Sequence, residues 1–187
     1  MSAQAMQRSL RRARRALDTG GVIAYPTEAV FGLGCDPLDG AAMRRLLRLK
    51  GRSPGKGVIL ISGELEPLLP YLAATTAQLD QALATWPGPV TWLLPARADV
   101  PSWLTGGRRS LAVRVTDHPV AAAVSAAFGD AVVSTSANRS GSPPARTAQQ
   151  VRLRMGAGLR SVVPGATGGR QRPSEIRDGR TGAVVRA

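Results

Sequence analysis

Only two lysines occur among the 25 basic residues of this 187-residue chain; the other 23 are arginines. Both lysines fall in Lys50-Gly51-Arg52-Ser53-Pro54-Gly55-Lys56-Gly57, directly ahead of the apolar run Val58-Ile59-Leu60-Ile61. Lysine is a compact point charge on a flexible stem, whereas arginine is a flat, rigid fork. Keeping two ammonium groups here, in a chain that otherwise uses arginine, points to a task that arginine would not serve. A glycine-containing loop with two lysines and one arginine ahead of a buried strand can surround phosphates with backbone N–H groups and cations. A solvated basic helix end leading into a turn fits the same spacing.

Three further stretches carry groups able to hold an anion. Ser134 closes an apolar strand and opens into Thr135-Ser136-Ala137-Asn138-Arg139-Ser140-Gly141, a run of hydroxyls and an amide that can donate many hydrogen bonds. Pro26-Thr27-Glu28 ends the strand Val22 to Tyr25 and leads into a glycine-spaced loop through Pro37, which puts small polar groups at a strand's carboxyl end. Arg114 interrupts the strand Leu111 to Val115; facing a cleft, it would bind an anion bidentately, and facing out it is an ordinary surface cation. Each stretch also reads as a plain loop or strand end. The single histidine, His118, stands beside Pro119 at a helix start and reads as a cap.

The elements that must position these groups follow from the apolar spacing. Met6, Leu10, Ala13 and Leu17 mark a helix stopped by Gly20-Gly21. Asp39 caps a second helix with Met43, Leu46 and Leu47 inward, which runs into the Lys50 loop and the strand Gly57 to Ser62. Residues 64–84 read as helix in two pieces, broken at Pro67 and Pro70 and capped again at Thr75 or Thr76. Trp86-Pro87-Gly88-Pro89 is a rigid turn into the strand Val90 to Leu94. Pro119 opens a helix to residue 128, Thr147 caps another to Met155, and Val162-Val163, Ser174 to Ile176 and Ala183 to Val185 are short strands. Residues 165–173 read as the mobile loop. Strands alternating with helices give one α/β domain over 1–187 with a twisted mixed sheet flanked by helices, in which the four stretches converge on one cavity at strand ends.

Composition narrows the class. A net charge of +13 favours a polyanionic partner, nucleotide or RNA, although arginine enrichment with almost no lysine also fits a compositional bias that spreads charge over any surface. One cysteine, Cys35, and one histidine exclude a disulfide framework and a Cys- or His-rich metal site. No apolar run is long enough to span a bilayer, and the basic N-terminus lacks a secretory h-region, so the expected place is the cytoplasm, without membrane association.

Six ordered blocks, VIAYPTEAVFGLGCDP, RLKGRSPGKGVILI, WPGPVTWLLPA, SLAVRVTDHPV, VVSTSANRSG and PSEIRD, together resemble the YrdC family, most of all its short bacterial branch. The resemblance implies a single domain with a basic concave cavity and no additional C-terminal domain. It implies that L-threonine, bicarbonate or CO2, and ATP become threonylcarbamoyl-adenylate and pyrophosphate, for modification of adenosine 37 in tRNAs that read ANN codons. The family's Lys-x-Arg and Ser-x-Asn fall on Lys50, Arg52, Ser136 and Asn138, as the catalytic set around the triphosphate. Thr27, Arg114 and Ser174 match positions at the threonine substrate, and Thr91, Ser134 and Arg186 match positions towards ATP. Magnesium is expected to travel with ATP on phosphate oxygens and water, with no protein metal site. Partner proteins of the TsaB/TsaD/TsaE type would complete the transfer to tRNA. Ser53, where many relatives carry proline, departs from the pattern.

Two competing readings remain open at the level of sequence. One is an RNA-binding module, for tRNA or double-stranded RNA, using the same basic cavity; few aromatics and no recognised RNA motif speak against it. The other is carbamoyl transfer of the hydrogenase-maturation type, whose chains carry further domains missing here.

Overall fold

Among the described residues the chain forms a nine-stranded mixed sheet. The computed structural model describes residues 2–172 and 174–186. Met1 and Ala187, the ends of the expected 1–187 domain, and Pro173, the end of the segment read as mobile, lie outside the described residues.

Strands β1 (Ile23–Pro26) and β2 (Phe31–Gly34) form an antiparallel hairpin, and β2 pairs with β6 (Val132–Ser136). Strand β6 continues the sheet to β3 (Ile59–Ser62), which runs parallel to β5 (Ser110–Val115); β4 (Val90–Pro95), β8 (Glu175–Asp178) and β9 (Val184–Arg186) follow, while β7 (Ser161–Val162) pairs with β1 at the other edge. Because side chains alternate along a strand, each strand divides between two faces. Leu33, Leu60, Leu111, Val113 and Val133 pack on one face with Met43, Leu46 and Leu47 of helix α2 (Gly40–Lys50). On the other face Ile23, Tyr25, Ile61 and Val132 are covered by helices α1 (Ala3–Asp18) and α5 (Pro119–Phe128) through Ala13, Ala16, Leu17, Ala121 and Val124. Each fully buried leucine or isoleucine contributes about 1.5–3 kcal/mol. Helices α1 and α5 reach only part of this second face. Where they stop, its next rows are Gly32, Ser134, Ser136 and Ala112, which are small or polar and stay open.

The helix starts follow their caps. Asp39 accepts from the N–H groups of Ala41 and Ala42, Thr75 and Gln78 close a reciprocal capping box on α3 (Thr76–Leu83), and Thr147 caps α6 (Ala148–Met155). His118 caps α5 with its ring, accepting from the Ala121 N–H, with Pro119 in the first turn. The first helical piece between 64 and 84 is a 3₁₀ segment, Glu66–Tyr71, and the two prolines account for its tightness. A four-residue helix, α4 (Ser102–Thr105), is too short to leave a periodic signal.

Two expectations are corrected. Phe31–Gly34, read as a loop, is strand β2. Its glycines lowered the strand signal, yet they are what the sheet requires: a Cβ on Gly34 would lie 2.6 Å from the Val133 carbonyl and 2.8 Å from the Tyr25 ring. The segment read as mobile is tied along its length. Val163, Gly168 and Arg170 donate their N–H groups to the carbonyls of Ala24, Thr27 and Glu28, His118 Nε2 meets Ala166 O at 3.1 Å, and the Arg146 guanidinium donates to the carbonyls of Arg170 and Gln171.

Candidate functional site

The open part of the second sheet face is the floor of a cavity of about 580 Å³. Strand register builds it: Ser134 lies opposite Ile59 and Ser136 opposite Gly32, while Ile59 also lies opposite Ala112, so four strands bring their short side chains into one patch. Arg52, Lys56 and Arg108 stand on one side. Arg114, Arg170, Arg172 and Arg186 complete the cationic wall, against Glu28, the single carboxylate among the described residues that line it. The walls between them are apolar, including Leu104, Ile176 and Val185, and among the described residues no aromatic side chain lines them.

Arg52 follows the left-handed Gly51 that ends α2, and its Nη2 donates to the Gly57 carbonyl at 2.9 Å. Arg186 sits in register with Ile176 and donates to the Ser174 carbonyl at 2.9 Å. Arg114 is 5% exposed and lies 3.2 Å from Glu28 Oε2. The Nε atoms of Arg52 and Arg114 are buried with no protein partner. Burial and then the charge of Arg186 push the Arg52 guanidinium below its ordinary value, and burial and then Arg114 do the same to Arg186. Three guanidiniums thus converge with donors to spare. An unpartnered buried donor costs about 1–3 kcal/mol, and an anion between them offsets that cost together with their mutual repulsion.

Lys50 is placed differently from the other cations. It is the last residue of α2 and 2% exposed, and its ammonium is absent from the cavity lining. Nζ donates to the Ser136 carbonyl and, at 3.1 Å each, to the Asn138 carbonyl and Oδ1. Ser136 Oγ donates to Asn138 Oδ1 at 2.6 Å, Asn138 Nδ2 to the Ser142 carbonyl at 2.6 Å, and the Ser140 N–H to the Lys50 carbonyl at 2.8 Å. Lys50 and Asn138 therefore hold the loop after β6, and Ser136 with Ser134 presents that loop to the cavity. Burial first, and then the charge of Arg52, push the Lys50 ammonium down to about 8.

Thr27 lines the cavity and donates its hydroxyl proton to the Val30 carbonyl at 2.7 Å, which leaves its lone pairs for a ligand's donor. Ser174 lines it too, while Thr91 is fully buried behind and donates to Ser174 Oγ at 3.3 Å. Of the ten residues read from the sequence, Thr27, Arg52, Arg114, Ser134, Ser136, Ser174 and Arg186 share the cavity; Lys50, Asn138 and Thr91 support it from behind. Sequence reading missed Glu28, Arg108, Arg170 and Arg172 as cavity residues, and took Lys56 only as part of the loop able to surround phosphates. Lys56 and Glu28 stood in stretches already marked as chemical, but Arg170 and Arg172 could not be told from other surface arginines. His118 is not at the cavity: Nδ1 accepts from Ala121, so Nε2 carries the proton and donates to Ala166. Among the described residues no three His, Cys, Asp or Glu side chains gather into a metal-binding group, and no helix is long and apolar enough to cross a membrane.

The Sua5/YciO/YrdC family model, described as "Telomere recombination", matches residues 15–187. A threonylcarbamoyl-AMP synthase of Alkalilimnicola ehrlichii is 58% identical over 182 residues, 95% of this chain and 95% of its own. A threonylcarbamoyl-AMP synthase of Escherichia coli O1:K1 is 56% identical over 168 residues, 88% of each chain. Among solved structures, E. coli YciO superposes with a TM-score of 0.85 at 28% identity, over 96% of this chain and 89% of that one. P. abyssi Sua5 complexed with L-threonine gives 0.85 at 29% identity over 90% of this chain, and this chain spans half of its length.

Proposed function

The chain belongs to the Sua5/YciO/YrdC family, and from that premise we propose that it is a threonylcarbamoyl-AMP synthase acting through the cavity described above. L-threonine, bicarbonate and ATP give threonylcarbamoyl-adenylate, pyrophosphate and water; with CO2 as the one-carbon donor no water is released. The threonine amine, once deprotonated, forms an N–C bond to the one-carbon unit, and the bicarbonate carbon loses its hydroxyl as water. A carbamate oxygen then bonds to the α-phosphorus as the bond to the departing pyrophosphate breaks. Such a transfer depends on positioning and on offsetting charge at the phosphates rather than on a covalent nucleophile. The observation that carries the reading is the convergence of Arg52, Arg114 and Arg186 with two buried Nε donors unpartnered.

In this reading Arg52, Lys56, Arg108 and Arg186 hold the triphosphate, whose magnesium would be carried on phosphate oxygens and water. Ser134 and Ser136 bond the reacting phosphate or carbamoyl oxygens, and Lys50 and Asn138 keep that loop in place. Arg114, Ser174 and Thr27 take the amino acid, Thr27 accepting from its amine or hydroxyl. The adenylate passes to partner proteins of the TsaB/TsaD/TsaE type for transfer to tRNA. The RNA-module alternative is not favoured: the cavity offers no aromatic face on which a base could stack.

The test is pyrophosphate release from ATP and bicarbonate with L-threonine present, omitted, or replaced by L-serine. Release that requires both threonine and bicarbonate is expected. In Arg52→Ala the KM for ATP should rise on the order of ten- to a hundredfold, the worth of a charged hydrogen bond. Unchanged release in Arg52→Ala would remove the triphosphate assignment.

A further inference from the structure

Glu28 is the one carboxylate on a wall of cations, and it is committed in three directions. Oε2 lies 3.2 Å from Arg114 Nη2. Oε1 accepts from Thr116 Oγ1 at 2.6 Å. Its main-chain carbonyl accepts from the Arg170 N–H at 3.1 Å. Thr116 is itself fixed, because its N–H donates to the Ser62 carbonyl at 2.9 Å and its Oγ1 accepts from the His118 N–H at 3.2 Å. Glu28 and Arg114 are 7% and 5% exposed, so this pair is not a screened surface contact. Gly168 packs on the same residue: a Cβ there would lie 2.9 Å from the Glu28 carbonyl oxygen.

A carboxylate weakens a cavity for anions unless it does something the cations cannot do alone. Oε1 of Glu28 accepts the Thr116 hydroxyl and Oε2 is in ion-pair contact with Arg114 Nη2, which leaves the carboxylate poorly placed as a base for the threonine amine. What they do is hold the Nη2 end of Arg114 and leave its Nε–H unpartnered in a residue that lines the cavity. The geometry points to Glu28 as a positioning residue: its carboxylate holds Arg114 at the cavity lining against the repulsion of the neighbouring guanidiniums, where the guanidinium can meet the substrate's carboxylate, while its main chain holds the segment that brings Arg170 and Arg172 to the same cavity. This rests on the synthase reading for the identity of the substrate, though not for the geometry.

The experiment compares wild type, Glu28→Gln, Arg114→Met and the double variant. Two readouts are used: kcat and KM for threonine in pyrophosphate release, and the Arg114 Nε–H resonance by NMR of full-length protein. In Glu28→Gln, kcat/KM for threonine should fall on the order of tenfold to a hundredfold, mainly through KM, and the Arg114 resonance should move and exchange faster with water. In the Arg114→Met background, adding Glu28→Gln should cost no further activity. Losses that multiply across the two sites overturn the proposal, as does an Arg114 resonance unmoved by Glu28→Gln. If Glu28→Gln does not fold, Glu28→Asp serves: it keeps the charge but shortens the reach, and a resonance and KM identical to wild type would overturn the proposal. If wild type shows no threonine-dependent release, the synthase reading fails by itself, and the resonance still decides the role of Glu28.

Discussion

Lysine at position 50 is explained by where its charge ends up. Three acceptors converge on Nζ at the end of a buried helix, and a compact ammonium meets them without the flat span of a guanidinium. Its lowered value, about 8 against an ordinary 10.5, has consequences of opposite sign for activity and stability. Below about pH 8 the folded protein carries a buried ammonium that the unfolded chain would hydrate, which disfavours folding. As pH rises from 8 towards 10.5 the folded form releases that proton before the unfolded form does, and the penalty is relieved. Denaturant unfolding should therefore show wild type gaining stability relative to Lys50→Met across this window. Activity should move the other way, with kcat/KM falling on an alkaline limb near pH 8 as the hold on Ser136 and Asn138 weakens, and with no such limb in Lys50→Met. A wild-type profile flat to pH 9.5 would contradict the assigned role.

At the scale of elements, the β1–β2 hairpin is the piece that composition disguised. Phe31 and Leu33 are fully buried on one face, while on the other Gly34 meets the Val133 carbonyl and the Tyr25 ring and Gly32 meets the cavity. Alternation is thus intact, but it runs apolar/glycine rather than apolar/polar. Gly34→Ala should destabilise the protein by about 1–3 kcal/mol through overpacking against Val133 and Tyr25, read as a lower denaturant midpoint at unchanged slope. A substitution tolerated at full stability would mean that the strand can shift, and with it Gly32 on the cavity floor. The segment read as mobile, 165–173, carries a similar lesson. Glycine and polar composition marked it as free, whereas its hydrogen bonds run to the main chain of residues 24–28, a partner that no local pattern reveals.

For the molecule as a whole, the net charge of +13 divides into two populations. Most arginines are spread over the surface, as on α1, where Arg8, Arg11, Arg12, Arg14 and Arg15 are all exposed. Seven cationic side chains instead surround one cavity with a single, paired carboxylate. A field focused in this way attracts a triphosphate more than a zwitterionic amino acid. Raising KCl from about 50 to about 500 mM, which shortens the screening length several-fold, should raise the KM for ATP several-fold and that for threonine much less. Equal salt dependence of the two would mean that the cations do not act together on the nucleotide.

The sequence by itself determined most of the alternation of helices and strands, the caps at Asp39 and Thr147, a cap at Thr75 or Thr76, and the stretches that carry the chemistry, because these depend on residues near one another in the chain. Six ordered blocks also determined the family. Tertiary structure alone decided which members of each block meet the cavity. Lys50 and Arg52 are two residues apart, yet one turns behind the site to hold a loop 86 residues away and the other lines the cavity. Glu28 and Arg114 become a pair, and Arg170 and Arg172 become site residues, only when the strand order β1-β2-β6-β3-β5 and the segment after β7 bring them together. Side-chain direction and long-range pairing are set by sheet register and by the competition for buried hydrogen-bond acceptors, and neither is written in local spacing.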